Sequence, residues 1–256
     1  MEPTLSLAGR AALITGASRN IGAATARAFA EAGADLLLVA RGREQLEAVA
    51  GEIRGVTGRR VVALAADVGE AEAVDRILET AIREFPALDI LVNNAFDTGD
   101  TFGRSVLDID WADWKRCIGA NIEAPFKLSQ ALARRMHDGD GGSIINVLST
   151  AAFAPVPTFA PYAATKAALW MLTRYMAKEC APKVRFNAVC PGTTAEDGGK
   201  ANAAAWEKVL PAVPLQRIGL PQETAQAILF LASNAASYTT GQVLFVDGGR
   251  VAAAGG

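Results

Sequence analysis

Histidine is almost absent from this chain: His137 is the only one. Ser-His-Asp triads, HExxH zinc chemistry and histidine general bases therefore have almost no raw material, and any proton donor or acceptor must be another residue type. Cysteine is also scarce. Cys117, Cys180 and Cys190 are odd in number, and their spacings match neither a zinc pattern nor a CxxC redox pair. They read as small core residues of a reducing compartment, and no metal site is expected. The opening residues lack the cationic start and apolar run of a signal peptide, so a cytoplasmic location is expected. Charge of either sign is sparse and balanced, with 25 Lys and Arg against 27 Asp and Glu and a formal net charge of -2. No block of like charges could grip a nucleic-acid backbone or an anionic membrane. Residues 143–165 carry no charge for 23 positions, yet Asn146, Ser149, Pro155, Pro157 and Pro161 interrupt them. That stretch reads as a buried strand followed by a loop rather than a membrane span. The partner left by these exclusions is a small molecule.

Apolar residues, by contrast, make up 51% of the 256 positions, enough for a large core. Short apolar runs at 11–15, 35–40, 61–66, 89–92, 143–148, 184–189 and 242–246 read as strands. Most are too continuously apolar to have a wet face, which is the pattern of parallel strands covered on both sides. Segments of helical spacing lie between them at 20–32, 43–54, 70–85, 105–136, 161–181 and 221–233. With no repeat or linker-like composition shift, residues 1–256 are expected to form one α/β domain. Its expected architecture is a Rossmann-like, doubly wound parallel sheet of about seven strands with helices on both faces. Ligands of such sheets sit outside the carboxyl ends of the strands.

The first strand runs into Thr15-Gly16-Ala17-Ser18-Arg19-Asn20-Ile21-Gly22. Small residues suit a tight turn that approaches a pyrophosphate and presents free N–H groups at the positive end of a helix. Alone, the spacing equally describes an ordinary βα turn. The second strand ends at Val39-Ala40-Arg41, so Ala40 stands where a fold reading free ribose hydroxyls would place an acid. Arg41 and Arg19 would suit a 2′-phosphate, which favours NADP(H) over NAD(H), although both could be solvated surface arginines. Asp67, before Val68 and Gly69, could accept from an adenine amine or cap the next helix.

Tyr162 and Lys166 fall one turn apart on one helix face, just after Pro161. A tyrosine titrates near about 10 in water, and a neighbouring ammonium favours its phenolate. Such a pair is also ordinary helix surface. In chain order, however, the turn from Gly16 to Gly22, Asp67, Asn93-Asn94-Ala95, Asn121, Ser149, Tyr162 with Lys166, residues 187–192, Tyr238-Thr239-Thr240-Gly241 and Val246-Asp247-Gly248-Gly249 fit one pattern. Over residues 9–250 the chain resembles the short-chain dehydrogenase/reductase family.

The resemblance implies that Tyr162 exchanges a proton with the substrate oxygen while hydride passes to or from a nicotinamide. Ser149 would hold that oxygen, Lys166 would bind the nicotinamide ribose and lower the Tyr162 pKa, and Asn121 would support a relay water. It further implies a coenzyme site made of Gly16, Ser18, Arg19, Asn20, Ile21, Gly22, Arg41, Asp67, Val68, Asn94, Ala95, Tyr162, Lys166, Pro191, Gly192 and Thr194. Asn93 would shape the adjoining turn. It also implies a homotetramer built on 105–136 and 161–181, with 242–246 helping a second contact. Leu169, Trp170, Leu172 and Met176 give the later helix more apolar positions than one core-facing stripe needs, which fits that contact or a monomer with a wider core face.

Two positions depart from the family pattern. Asn20 replaces the middle glycine of the turn and is the side chain that best tolerates positive φ after glycine. Phe96 replaces the glycine of Asn-Asn-Ala-Gly; an inward-facing ring is expected, the alternative being a wall beside the nicotinamide. The substrate would be met by loops 97–103, 151–160 and 193–214, with Phe96, Ser149, Ala151, Phe153 and Trp206 as candidate contacts. Residues 193–214 would form a lid hinged at Asp197-Gly198-Gly199. The expected activity is NADP(H)-preferring interconversion of a ketone and a secondary alcohol of a small, mostly apolar molecule. Two alternatives are a 3-oxoacyl-thioester reductase, using Arg134 and Arg135 for an acidic carrier, and a coenzyme-binding regulatory protein without turnover.

Overall fold

The computed structural model describes residues 4–253. Its strands are β1 (Ala11–Thr15), β2 (Asp35–Ala40), β3 (Val61–Ala65), β4 (Ile90–Asn93), β5 (Gly142–Val147), β6 (Val184–Pro191) and β7 (Val243–Val246). They form one seven-stranded sheet in the order β3-β2-β1-β4-β5-β6-β7, every pairing parallel. The helices are α1 (Asn20–Glu31), α2 (Arg43–Thr57), α3 (Ala71–Glu84), α4 (Trp111–Ile118), α5 (Ala124–Asp138), α6 (Ala160–Cys180), α7 (Ala203–Trp206), α8 (Pro221–Ala232) and α9 (Arg250–Ala253).

Strands β1, β2 and β4 are buried on both faces, because successive side chains point to opposite sides and helices cover each side. Ile14, Leu36 and Leu38 pack under α1, α2 and α8, while Leu13, Leu37 and Leu91 pack under α3 and α5. Leu36, Leu37 and Leu38 are all 0% exposed, and burying each leucine stabilises the fold by about 1.5–3 kcal/mol. On the first face, Ala24, Ala28 and Ala225 let α1 and α8 approach closely. The chain winds outward through β2 and β3, then crosses back to add β4 on the other side of β1. The strand order therefore reverses between β1 and β4, where such sheets open a crevice.

The segment expected as one helix over 105–136 is divided. Ser105 accepts from the Leu107 N–H over a short 3-10 turn, Val106–Asp108, and Asp110 accepts from Ala112 to start α4. Between α4 and α5, residues Gly119–Glu123 form a π-helical turn. Pro125 lies at the start of α5 and has no N–H to give the carbonyl four residues back, that of Asn121. The outer face of α6 also differs from expectation. Leu169 is 2% exposed and Met176 packs against the core, whereas Met171 and Tyr175 are exposed at 46% and 61%. Among the described residues no helix is long and apolar enough to cross a membrane.

Candidate active site

At the carboxyl edge of the sheet the loops after β1, β2, β3, β4, β5 and β6 enclose a cleft of about 1080 Å³. Its first wall is the turn into α1, where Gly16 and Asn20 take positive φ of 67° and 51°, so Asn20 adopts the left-handed conformation expected of it. A Cβ on Gly22 would stand 2.1 Å from the Gly16 carbonyl oxygen; the helix begins too close to the turn for any side chain there. Asn94 clamps the turn, donating to the carbonyls of Thr15 and Gly16 at 2.9 and 3.1 Å. This is the part expected of Asn93, whose amide instead donates into the interior to Ser129 and Asn146.

Arg19 precedes α1 without a side-chain cap, and no acidic residue lies in the helix's first turn. The N–H groups at that positive end belong to Asn20, Ile21 and Gly22, which line the cleft. One of them, Asn20 N–H, donates to the Glu196 carboxylate at 2.9 Å. A backbone anion cradle, a glycine that admits nothing larger and a cleft of this size fit a nicotinamide dinucleotide.

The far end of the cleft holds charged groups. Arg41 pairs with Asp97 at 2.8 Å and lies 3.8 Å from Asp67. Asp67 also accepts from Gly69 N–H at 2.9 Å, while Glu70, not Asp67, precedes α3.

Tyr162 and Lys166 stand together on α6, and Ser149, just after β5, lines the same cleft beside the phenol. Lys166 is 2% exposed; its Nζ donates to the Val147 carbonyl at 2.8 Å and lies 5.7 Å from the Tyr162 ring centroid. Burial sets the direction of both shifts here. Burial pushes Tyr162 up to about 12 against the opposing pull of Ser149, and burial pulls Lys166 down to about 8. Desolvation penalises the charged form of each, leaving a neutral phenol beside a readily deprotonated amine.

Asn121 is fully buried on the π turn. Its side chain accepts from Asp97 N–H at 2.9 Å, donates to Asp97 O at 2.7 Å and donates to Thr165 Oγ1 at 3.2 Å. Thr165 in turn donates to the Tyr162 carbonyl, so Asn121 ties the loop after β4 to α6. Both N–H groups of its side-chain amide are thereby engaged.

The residues expected around the coenzyme all line the cleft, as do Phe96, Ser149, Ala151 and Trp206 among those expected near the substrate. Phe153 does not: it packs edge-on against Phe245 at 4.8 Å, beside Leu148 and Leu169. Phe96 turns outward rather than inward, 54% exposed and 5.7 Å from the Tyr162 ring. Phe102 and Phe159 stack edge to face at 4.1 Å nearby, giving the reacting end apolar walls. Sequence reasoning missed the roles of the Asp97 and Glu196 carboxylates. Neither carries a signal, because acids in loops are ordinary turn formers.

The chain matches the family described as enoyl-(acyl carrier protein) reductase over residues 16–250. It is 40% identical over 245 residues to an uncharacterized oxidoreductase of Mycobacterium tuberculosis, covering 94% of this chain and 91% of that one. It is 39% identical over 249 residues to the 3-oxoacyl-[acyl-carrier-protein] reductase of Synechocystis, covering 96% and 98%. Among solved structures, a gluconate 5-dehydrogenase from Burkholderia cenocepacia in complex with NADP and tartrate superposes with a TM-score of 0.87 at 35% identity, with 98% of each chain covered. The chain belongs to the short-chain dehydrogenase/reductase family, and it is an NAD(P)-dependent oxidoreductase.

Proposed function

We propose that the protein is an NADP(H)-preferring oxidoreductase that interconverts a ketone and a secondary alcohol of a small, mostly apolar molecule. The observation that carries this reading is the Tyr162 phenol with the buried Lys166 amine 5.7 Å from its ring, both lining the cleft together with Ser149. The coenzyme, when bound, supplies or accepts the hydride. Gly16, Ser18, Asn20, Ile21 and Gly22 would hold its diphosphate. Asp67, Val68, Asn94 and Ala95 would flank its adenosine half, and Pro191, Gly192 and Thr194 its nicotinamide side. Arg19 and Arg41, with Ala40 offering no competing acid, support the 2′-phosphate preference.

In the reductive direction Tyr162 donates its proton to the substrate oxygen, and Ser149 donates a hydrogen bond that keeps that oxygen within reach. A positioned donor of this kind is worth about 10²–10³ in rate. Lys166, protonated below about pH 8, offsets the charge left on the phenol. Asn121 is the residue we assign to support a water on the path that reprotonates the site. With burial holding it near 12, Tyr162 carries its proton at neutral pH and is present in the form that can donate it. Phe96, Phe102, Phe159 and Trp206 would receive the apolar substrate, with residues 193–214 closing over it as a lid.

The 3-oxoacyl-thioester alternative draws support from the name of the Synechocystis relative. Of the arginines invoked for an acidic carrier, Arg135 is unhelpful to it, donating to the carbonyl of Pro86, ahead of β4 and at the opposite edge of the sheet from the cleft. We also propose one domain over 1–256, a cytoplasmic location, and a homotetramer that would cover exposed Trp111, Met171 and Tyr175 together with Leu244 and Phe245 on β7.

Initial rates with NADPH and NADH against aryl, alicyclic, steroidal and acyl-thioester ketones test the assignment. Turnover of an aryl or alicyclic ketone with NADPH ahead of NADH is expected. Turnover of the thioester alone, or NADH preferred throughout, overturns the corresponding half of the reading.

A further inference from the structure

We propose that Asp97 sets how strongly the cleft discriminates between a dinucleotide with and without a 2′-phosphate, by holding Arg41 in an ion pair that the phosphate must break. The inference rests on the NADP(H) reading above and deepens it.

Asp97 is the fixed member of this pair. Its backbone is held at both N–H and C=O by Asn121, at 2.9 and 2.7 Å. Its Oδ1 accepts from Gly99 N–H at 2.7 Å, and its Oδ2 meets Arg116 at 3.2 Å as well as Arg41 at 2.8 Å. The Asp97 side chain is 13% exposed, against 55% for Arg41 and 58% for Arg116. Burial pushes its carboxyl up, but the Gly99 N–H and the Arg116 and Arg41 guanidiniums outweigh that and hold it below the ordinary range. Asp97 is thus a stationary anion, and Arg41 is a long, solvated cation resting against it.

Asp67 approaches Arg41 from the loop after β3, at 3.8 Å. The only arginine directly after β2 therefore stands between two carboxylates. A 2′-phosphate arriving there must draw Arg41 away while facing the negative charge left behind. The exchange is feasible because Asp97 keeps Gly99 N–H and Arg116 when Arg41 leaves, so no buried charge is orphaned. It is also costly, because an ion pair is given up and like charges are brought together. A dinucleotide without the phosphate incurs neither cost. The acid that β2 lacks at Ala40 is in effect supplied from the loop after β4, and it lowers a preference that Arg41 alone would make stronger.

The test uses dissociation constants for NADPH, NADH and 2′,5′-ADP, by intrinsic-fluorescence quenching and calorimetry, on the full chain and its Asp97→Asn, Arg41→Ala and double variants. Asn keeps the backbone bonds to Asn121 and an oxygen for Gly99 N–H. Asp97→Ser serves as a second uncharged variant, and melting temperatures confirm that each is folded. D97N and D97S are expected to tighten NADPH and 2′,5′-ADP about three- to fivefold, the range of a lost exposed ion pair plus relieved repulsion. NADH should change less than about twofold, and the gain should vanish in the Arg41→Ala background. If both uncharged variants leave NADPH unchanged while Arg41→Ala weakens it, the Asp97 inference fails and the NADP(H) reading stands. If Arg41→Ala leaves NADPH and 2′,5′-ADP unchanged, the reading beneath it fails as well. Weaker NADH binding in D97N would assign Asp97 to ribose hydroxyls and overturn the proposal.

Discussion

Replacing Glu196 with glutamine should tighten the binding of both coenzymes. The first turn of α1 has no acidic residue of its own, and Arg19 gives it no side-chain cap. The Glu196 carboxylate fills that role from the loop after β6, accepting Asn20 N–H at 2.9 Å. A carboxylate at an exposed helix N-terminus stabilises by about 0.3–1 kcal/mol at low ionic strength. A diphosphate seated on the same N–H must expel it first, and at RT of about 0.6 kcal/mol that corresponds to a penalty of about two- to fivefold in affinity. Gly198 and Gly199, both at positive φ, give the loop the backbone freedom to move the carboxylate away. Glu196→Gln keeps the size and removes the charge. Fluorescence titrations should therefore show NADPH and NADH each bound about two- to fivefold more tightly, with the gain shrinking in high salt as the charge is screened. Unchanged or weaker binding at low salt would refute the competition. Because Glu196 addresses the diphosphate common to both coenzymes, its effect is separable from that of Asp97.

Tyr162→Phe should lower turnover by about 10²–10⁴ while the dissociation constant for NADPH moves less than about twofold; stopped-flow rates and equilibrium titration check the two parts. Reduction leaves negative charge on Tyr162, and Lys166 offsets it only while protonated, so kcat/KM for a ketone should fall as pH rises through about 8. Tyr162 stays protonated over that range because burial holds it near 12. A profile level across that region would remove Lys166 from this role, and Lys166→Met should lose the limb altogether. Gly22→Ala drives a methyl against the Gly16 carbonyl and should cost about 1–3 kcal/mol of stability, read as a lower melting temperature together with lost coenzyme binding.

The strands were the most legible part of the chain. Leu36, Leu37 and Leu38 are buried on both faces of a parallel sheet, and a run apolar at every position is the direct imprint of that burial. Strands β1 and β2 match their expected ends, and the others differ by one or two residues, as hydrogen-bonded ends generally do. The division of 105–136 was hidden because Ser105 and Asp110 are turn formers only if their side chains bend back to the main chain. The surrounding apolar spacing continued unbroken through them. Pro125 was visible, but a proline at the start of a helix does not by itself reveal the π turn before it.

The site was legible where backbone geometry dictates residue type and illegible where long side chains choose among partners. Gly16, Gly22 and Asn20 could be read because positive φ and close approach exclude most alternatives. Tyr162, Lys166 and Ser149 could be read through their order along the chain. Phe153 could not, because two faces of one loop offer apolar surroundings, and the ring took the Phe245 side. Phe96 escaped for the converse reason: nothing in its neighbours reveals whether a ring after Ala95 turns into the core or toward Tyr162.

The arginines show the limit most clearly. Arg41 was readable as a cation after β2, but its destination depends on Asp97, 56 positions later in the chain, brought to it by the crossover from β3 to β4. With a formal net charge of only -2, the protein has no strong overall field to draw or repel an anionic coenzyme. Recognition of phosphate must be local. Locally, both expected phosphate positions already face carboxylates of the chain itself: Glu196 at the α1 terminus and Asp97 at Arg41. Coenzyme binding is then an exchange of one anion for another rather than the filling of an open positive site. The affinity reflects a difference between two similar interactions, which is why removing a carboxylate should strengthen binding where a survey of positive charges alone would foresee no effect.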